Sequence, residues 1–549
     1  MIGWRLRRGW RSAATSQVTR ILLVLVAALL RLSAPDWDGG IAAHPDERYV
    51  LGVAASAPLG ANVCALAPDF PYGHLPITLA QLLVRAAPGR DPLYPARLLS
   101  GLIGVVGVAV AGCLGRQLAG GLGRILAMTM ASFSPLLVQQ SHFYTVDPLG
   151  MALASGAILA AQRRRWGTAG ALGGLAVACK LNLVIVFLPV LTTLWARGRA
   201  GRDSRGERMR RCMERLGVGA VSAFLVASPW SLLTPRLCWR GPLLQSLMGV
   251  GSYDLPYTLQ FAGTLPFIYP VTQMALWGLG VPATLLGAAG LLAAIKQLGG
   301  FRRAIAVPAW GWAFIYLLVV GSMSAKFPRY LLPIYPVWTG WAAYSIRGLR
   351  RRRKRASVLI AGLTVLTTSI AGLAQFGVYR QPHPWVVASQ RLYASLGEGS
   401  VIGIEAWDHP LPVPLPEGDV SRFVQRLAPV YDEESPQKTT ALAELSAQAD
   451  VIVIASRRGY AALVPLAFRY PETLKWYQGA LRERNSEVFT RCPRIGPVAF
   501  GDHPLQDAGL STDLTVAQMC GTRWTVRLPR LDESYRVYDA PLTLLLWRR

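Results

Sequence analysis

Charge is scarce in this 549-residue sequence: only 16% of its residues are Asp, Glu, Lys or Arg. A soluble domain carries about 25%. Set beside 52% hydrophobic residues and a mean hydropathy of +0.33, that shortage excludes an ordinary soluble fold and places the chain in the membrane class. Acidic residues are scarcer than basic ones, 30 against 57, and the net charge is +27. So basic a chain invites a nucleic-acid reading. Its arginines instead stand in short clusters between apolar runs, where positive-inside topology puts them, so no nucleic-acid partner is expected. No cysteine pair has CxxC spacing, the usual mark of a structural metal site. No cleavable signal peptide is expected, and a retained first span is the better reading. Residues 1–20 are basic and 21–32 apolar, but Arg31 interrupts the end and no small-x-small pattern follows. Internal repeats beyond a general helical likeness are absent.

What is present is a series of apolar runs, each near the roughly 20 residues a span takes. We read spans at 18–34, 97–115, 124–141, 147–162, 167–181, 182–196, 216–233, 272–295, 305–323, 330–346 and 357–377, about eleven transmembrane helices. Basic clusters at 5–11, 163–165, 197–215, 296–303 and 347–355 all fall on one side when the N-terminus is cytoplasmic. The same count puts the loop 35–95, the turn 139–147, the loop 234–271 and the turn 326–329 outside. Within the first loop, 77–87 is apolar but too short to span, and we expect it to lie along the interface. From 379 onward the charge is ordinary, prolines are many and no span follows. Short apolar runs at 401–406, 451–455, 524–528 and 542–547 read as strands, and 440–448 and 460–469 as helices. The expected fold is a polytopic α-helical membrane protein, residues 1–378, with a C-terminal extracytoplasmic α/β domain, 379–549. The expected location is the plasma (inner) membrane.

The seven cysteines leave at least one without an intrachain partner. Cys113, Cys179 and Cys212 fall in or beside spans or in an inner loop. Cys64, Cys238, Cys492 and Cys520 fall outside, where a Cys492–Cys520 disulfide can form.

Ionisable groups beside a bilayer are costly and usually mark a working site. His44-Pro45-Asp46-Glu47 follows the first span closely. Transfer to a hydroxyl with a departing phosphate needs a base for the hydroxyl proton and cations for the phosphate. Asp46 and Glu47 are the candidate acids, although the pair also suits a helix start. In the second outer turn, Asp147 either caps the helix that follows or has a functional role. His142 either meets donor phosphate or sits at the interface. The candidate phosphate-binding cations are Arg97, Lys180, Arg236, Lys326 and Arg329. Lys180 stands out because it ends an apolar run, with snorkelling as the alternative. Head-group contact is the alternative for Lys326 and Arg329, and anchoring of a span for Arg97. His44, Asp46, Glu47, His74 and His142 are metal-capable, but no fixed spacing demands an ion. We expect no cofactor and no required metal.

The loop His44–Glu47 and the turn Ser141-His142-Phe143-Tyr144-Thr145-Val146-Asp147-Pro148 together resemble the GT-C superfamily of polytopic glycosyltransferases. The chain is most similar to the bacterial protein O-mannosyltransferase group of glycosyltransferase family 39. Phe70-Pro71-Tyr72-Gly73-His74-Leu75-Pro76, Arg97, Lys180 and Lys326-Phe327-Pro328-Arg329-Tyr330-Leu331-Leu332-Pro333 agree in order and place. So do Glu405-Ala406-Trp407-Asp408-His409-Pro410-Leu411-Pro412 and Tyr535-Arg536-Val537-Tyr538-Asp539-Ala540-Pro541. The resemblance implies an inverting glycosyltransferase that moves a mannose-like sugar from a polyprenyl phosphate-sugar donor to an acceptor hydroxyl on protein, lipid or glycan. It assigns catalysis or acceptor orientation to Asp46, the adjacent acidic position to Glu47 and the acceptor-side acid to Asp147. The chain departs from the family at Ala540, where a second Asp is common, so no role is carried to that strand's end. A transporter or flippase for a lipid-linked or anionic substrate is the competing class. Inverted repeats would favour it, and the clustering of acids at one face favours the enzyme.

Overall fold

The longest apolar run folds, in the computed structural model, as one helical stretch Leu93–Phe133 that breaks at Gly120. Gly120 has φ 75°, a conformation glycine adopts without steric cost. The structure describes residues 2–549 except 68, 87, 199–203, 407, 408, 417, 504 and 507–513. The sequence positions Trp407 and Asp408 therefore lie outside the described residues. The chain divides into two compact units. The first comprises Met1–Pro35, Asp46–Leu247 and Pro266–Gly372; the second comprises Asp36–Pro45, Met248–Leu265 and Leu373–Arg549.

The first unit is helical. Leu93–Phe133 is long and apolar enough to cross a membrane, as is Lys354–Ser395, which belongs to this unit as far as Gly372. Pro135–Ser141 and Val146–Gln162, bent by 118° where they meet, make a third if taken as one span. Trp166–Cys179, Val281–Gln297 and Pro308–Gly321 are apolar but shorter. The run expected as a span at 124–141 is interrupted at Ser134. Its hydroxyl accepts from the Leu137 N–H at 3.4 Å and starts a new helix with Pro135 in its first turn. The run at 272–295 is likewise divided, at Gly280, into Ile268–Gln273 with a π turn Met274–Gly278, and Val281–Gln297.

Arg31, fully buried, donates to the carbonyls of Ala131 at 2.8 Å and Ser132 at 3.0 Å. It thereby satisfies orphan carbonyls at the end of Leu93–Phe133. The charge that interrupts the first apolar run is thus a strut between two helices. A disulfide joins Cys64 to Cys238 across two loop segments of this unit, a pairing the sequence reading did not single out.

The second unit holds a five-stranded sheet. Its strands are β1 (Val401–Glu405), β2 (Val424–Ala428), β3 (Val451–Ile454), β4 (Asn485–Phe489) and, after three strands of a smaller sheet, β8 (Thr543–Trp547). The order is β2-β1-β3-β8-β4. β1 lies parallel to β2 and β3, and β8 runs antiparallel to β3 and β4. Parallel pairing needs crossovers, and Pro436–Gln448 supplies one between β2 and β3. β3 is buried along its whole length, as an unalternated Val-Ile-Val-Ile run requires. The small sheet is β5 (Arg494–Ile495), β6 (Val498–Gly501) and β7 (Trp524–Arg527), beside the Cys492–Cys520 disulfide. Residues 36–45 pack in this unit, where Arg491 donates to the Trp37 carbonyl at 2.9 Å. Within it, Arg457 and Arg536 are buried against Asp502, at 2.6 and 3.1 Å, and Arg457 also pairs with Glu533. Four buried charges compensated in this way hold the end of the chain to the sheet.

Candidate active site

The helix Pro45–Ser56 begins with proline in its first turn, where no N–H is needed, and two acids near its positive end. Neighbours along the first turn of a helix point to different sides. That difference separates the two acids. Glu47 is fully buried and bound twice by Arg97, at 2.9 and 2.8 Å. It also accepts the backbone N–H of Tyr144 at 2.8 Å. Arg97 in turn donates to the Pro35 carbonyl at 2.9 Å. A bidentate pair with this much hydrogen bonding fixes three chain segments at one point.

Asp46 faces the other way and keeps 21% of its side chain exposed. The Tyr72 hydroxyl donates to Asp46 Oδ2 at 3.1 Å, and Arg329 lies 3.8 Å from the same oxygen. Burial first, and then the Asp46 charge, push the Tyr72 hydroxyl well above its usual range, so it remains a donor at neutral pH.

Asp147 sits in the first turn of Val146–Gln162, where Thr145 occupies the cap position. Capping is therefore not its task. Its Oδ1 accepts from Lys180 Nζ at 2.8 Å. Its Oδ2 stands 3.5 Å from Arg329 Nε, and neither of these two buried atoms has a hydrogen-bond partner among the described residues. Burial alone would lower the Arg329 pKa; Asp46 and Asp147 outweigh it and hold the guanidinium well above its usual value. Lys180 is the residue after Trp166–Cys179 and is itself buried, 4.7 Å from the Tyr330 ring centre and 5.7 Å from that of Tyr72. It is an ion-paired group and does not snorkel.

Close backbone approach makes this convergence possible. The Gly73 N–H donates to the Cys179 carbonyl at 3.0 Å, and a Cβ on Gly73 would lie 2.0 Å from the Ala178 oxygen. Only glycine lets the loop bearing Tyr72 lie against the helix end bearing Lys180. Tyr144 anchors the same loop by donating to the Pro76 carbonyl at 2.7 Å.

Asp46, Asp147, Lys180 and Arg329 are thus brought together, and the other expected residues fall elsewhere. Glu47 and Arg97, expected as a catalytic acid and a phosphate ligand, are instead paired with each other beside the cluster. His142 is buried, with its ring nitrogens 2.9 Å from the Val138 carbonyl and 3.2 Å from that of Ser33. Burial pushes its pKa down to about 4, so it offers no positive charge at neutral pH. Lys326 donates to the Ser324 carbonyl at 3.0 Å. Arg236 is exposed on the short helix Pro235–Cys238 and makes no ion pair among the described residues.

Three residues were missed. Tyr72 lies inside a noted motif and carried a usable signal, an aromatic hydroxyl among conformationally special residues. Tyr330 likewise lies inside a noted motif, while Gln245, which donates to its hydroxyl at 3.0 Å, gave no signal.

The fold is similar to that of the Archaeoglobus fulgidus oligosaccharyltransferase in its apo form, at 14% identity and a TM-score of 0.53, covering 87% of this chain and 73% of that one. The archaeal oligosaccharyltransferase AglB from the same organism, in complex with an inhibitory peptide and a dolichol-phosphate, matches at 12% identity and a TM-score of 0.50, over 88% of this chain and 74% of that one. ArnT from Cupriavidus metallidurans bound to undecaprenyl phosphate matches at 17% identity and a TM-score of 0.49, over 81% and 94%. No family model matches the chain, and no curated protein matches it.

Proposed function

We propose that this protein is an inverting glycosyltransferase that moves a mannose-like sugar from a polyprenyl phosphate-sugar to an acceptor hydroxyl at the outer face of the plasma (inner) membrane. The N-terminus is cytoplasmic in this reading and the C-terminal domain extracytoplasmic. The observation that carries it is Arg329, which lies between Asp46 and Asp147 without a hydrogen bond from its Nε to either. Beside it, Lys180 is held by one oxygen of Asp147. Two cations and two carboxylates so placed suit a reaction in which one group loses a proton while another gains negative charge. The AglB complex with dolichol-phosphate supports a lipid-phosphate donor.

Asp46 takes the proton of the acceptor hydroxyl, kept in aim by the Tyr72 hydrogen bond. Lys180 and Arg329 meet the phosphate oxygens. The donor is a phosphodiester and leaves as a more highly charged monoester, so these cations stabilise the transition state more than the ground state. Asp147 orients both cations and borders the acceptor. Glu47 and Arg97 position the helix that carries Asp46. Lys326, Arg236 and His142 contact lipid or protein and take no part in the chemistry.

The test is to supply purified protein with polyprenyl phosphate-mannose and an acceptor and to measure free polyprenyl phosphate. Release that depends on acceptor and is lost in Asp46→Asn supports the reading. Movement of the intact donor between leaflets with no release would establish a flippase instead.

A further inference from the structure

Away from these acids, three side chains from distant parts of the sequence meet at one point. Cys64, on the short helix Val63–Leu66, is bonded to Cys238, on Pro235–Cys238. His74 reaches the same place, with Nε2 2.8 Å from Cys64 Sγ. One ligand atom from each residue lies within 4.8 Å of the others. Cys64 and His74 are buried, at 4% and 5% exposure. The second ring nitrogen of His74 is 2.9 Å from Ser228 Oγ, which is 2.7 Å from Ser231 Oγ. In the oxidised protein Cys64 Sγ carries no proton and can only accept from Nε2–H at that distance. Two sulfurs, one inward-facing imidazole nitrogen and a hydrogen-bond partner on the other nitrogen are what a thiophilic metal site contains.

We propose that reduction of the Cys64–Cys238 disulfide opens a site for Zn²⁺ or a similar thiophilic divalent cation, with Cys64 Sγ, Cys238 Sγ and His74 Nε2 as ligands. A phosphine reductant breaks the S–S bond, takes one oxygen from water to become its oxide, and leaves two thiols. The cation then displaces the two thiol protons to solvent and forms two metal–sulfur bonds. His74 presents its Nε2 lone pair when Nδ1–H donates to Ser228 Oγ, whose own hydroxyl donates to Ser231. Water takes the fourth position. The sulfurs must separate to about 3.7 Å, given metal–sulfur bonds near 2.3 Å in a tetrahedron. The site stands apart from the sugar-transfer reading and survives its failure.

The full-length protein in detergent is treated with phosphine reductant, desalted, and titrated with Co²⁺ and with Zn²⁺. About one equivalent of Co²⁺ should bind with thiolate-to-cobalt charge-transfer absorbance, and Zn²⁺ should displace it. Unreduced protein should show no such band. The band should vanish in Cys64→Ser and Cys238→Ser. In His74→Ala, which keeps both cysteines and the oxidised disulfide, affinity should fall by about tenfold or more. Absence of the band in reduced wild type overturns the proposal. So does a band unchanged in His74→Ala and Cys238→Ser, which would trace to the other cysteines.

Discussion

Asp46 and Glu47 are adjacent residues of one type with different tasks, and the difference is which way each points. Asp46 is partly open and touches a hydroxyl and a guanidinium; Glu47 is closed and clamped by Arg97. Asp46→Asn should therefore lower sugar transfer by about 10²-fold or more, with the melting temperature unchanged, as donor-turnover assays and thermal unfolding would show. Glu47→Gln should do the reverse first. It leaves Arg97 buried beside a neutral partner, and breaking such a pair costs about 3–5 kcal/mol. Thermal unfolding of the purified protein measures it. Lys180→Met removes a transition-state contact, so kcat should fall by about 10²-fold and donor KM should change less.

At the scale of elements, the site depends on a loop laid against a helix end. Gly73→Ala places a methyl group 2.0 Å from the Ala178 oxygen, so the loop must move and carry Tyr72 off Asp46. We expect transfer to drop about tenfold, since small misplacements of positioned groups cost that much or more. The oxidised Cys64–Cys238 bond should persist, and a thiol count would show it. The helix Leu75–Ala86 was legible as a segment too short to span, and β1, β3, β7 and β8 were legible as apolar runs. β2 and β4 were not, because their patterns of exposure follow edge positions in the sheet and not apolar content. The break at Ser134 was also hidden. An apolar run reads as continuous until a capping hydroxyl and a proline end one helix and begin another.

For the molecule as a whole, acid should be destabilising through a group the chemistry does not use. Burial holds the His142 pKa to about 4 in the folded chain, against about 6.5 when unfolded. Above pH 6.5 the ring is neutral in both states and contributes nothing. As pH falls from 6.5 toward 4, the unfolded chain binds a proton that the folded chain does not, so stability falls, by up to about 3 kcal/mol. Below 4 this contribution stops changing. His142→Gln should remove that part of the slope when melting temperatures are compared across the window.

Composition alone indicated runs of membrane-crossing make-up and a region of ordinary charge after 379, because burial in lipid and burial in a sheet need different densities of apolar residues. Local spacing also located the acids and Lys180, since charge among apolar residues is conspicuous wherever it occurs. Only the tertiary structure decided which of those charges meet one another. Glu47 meets Arg97 across 50 residues, Lys180 meets Asp147 across 33, and Cys64 meets Cys238 across 174. Such partnerships arise from the packing of helices that the chain visits far apart, and neighbouring residues carry no record of them.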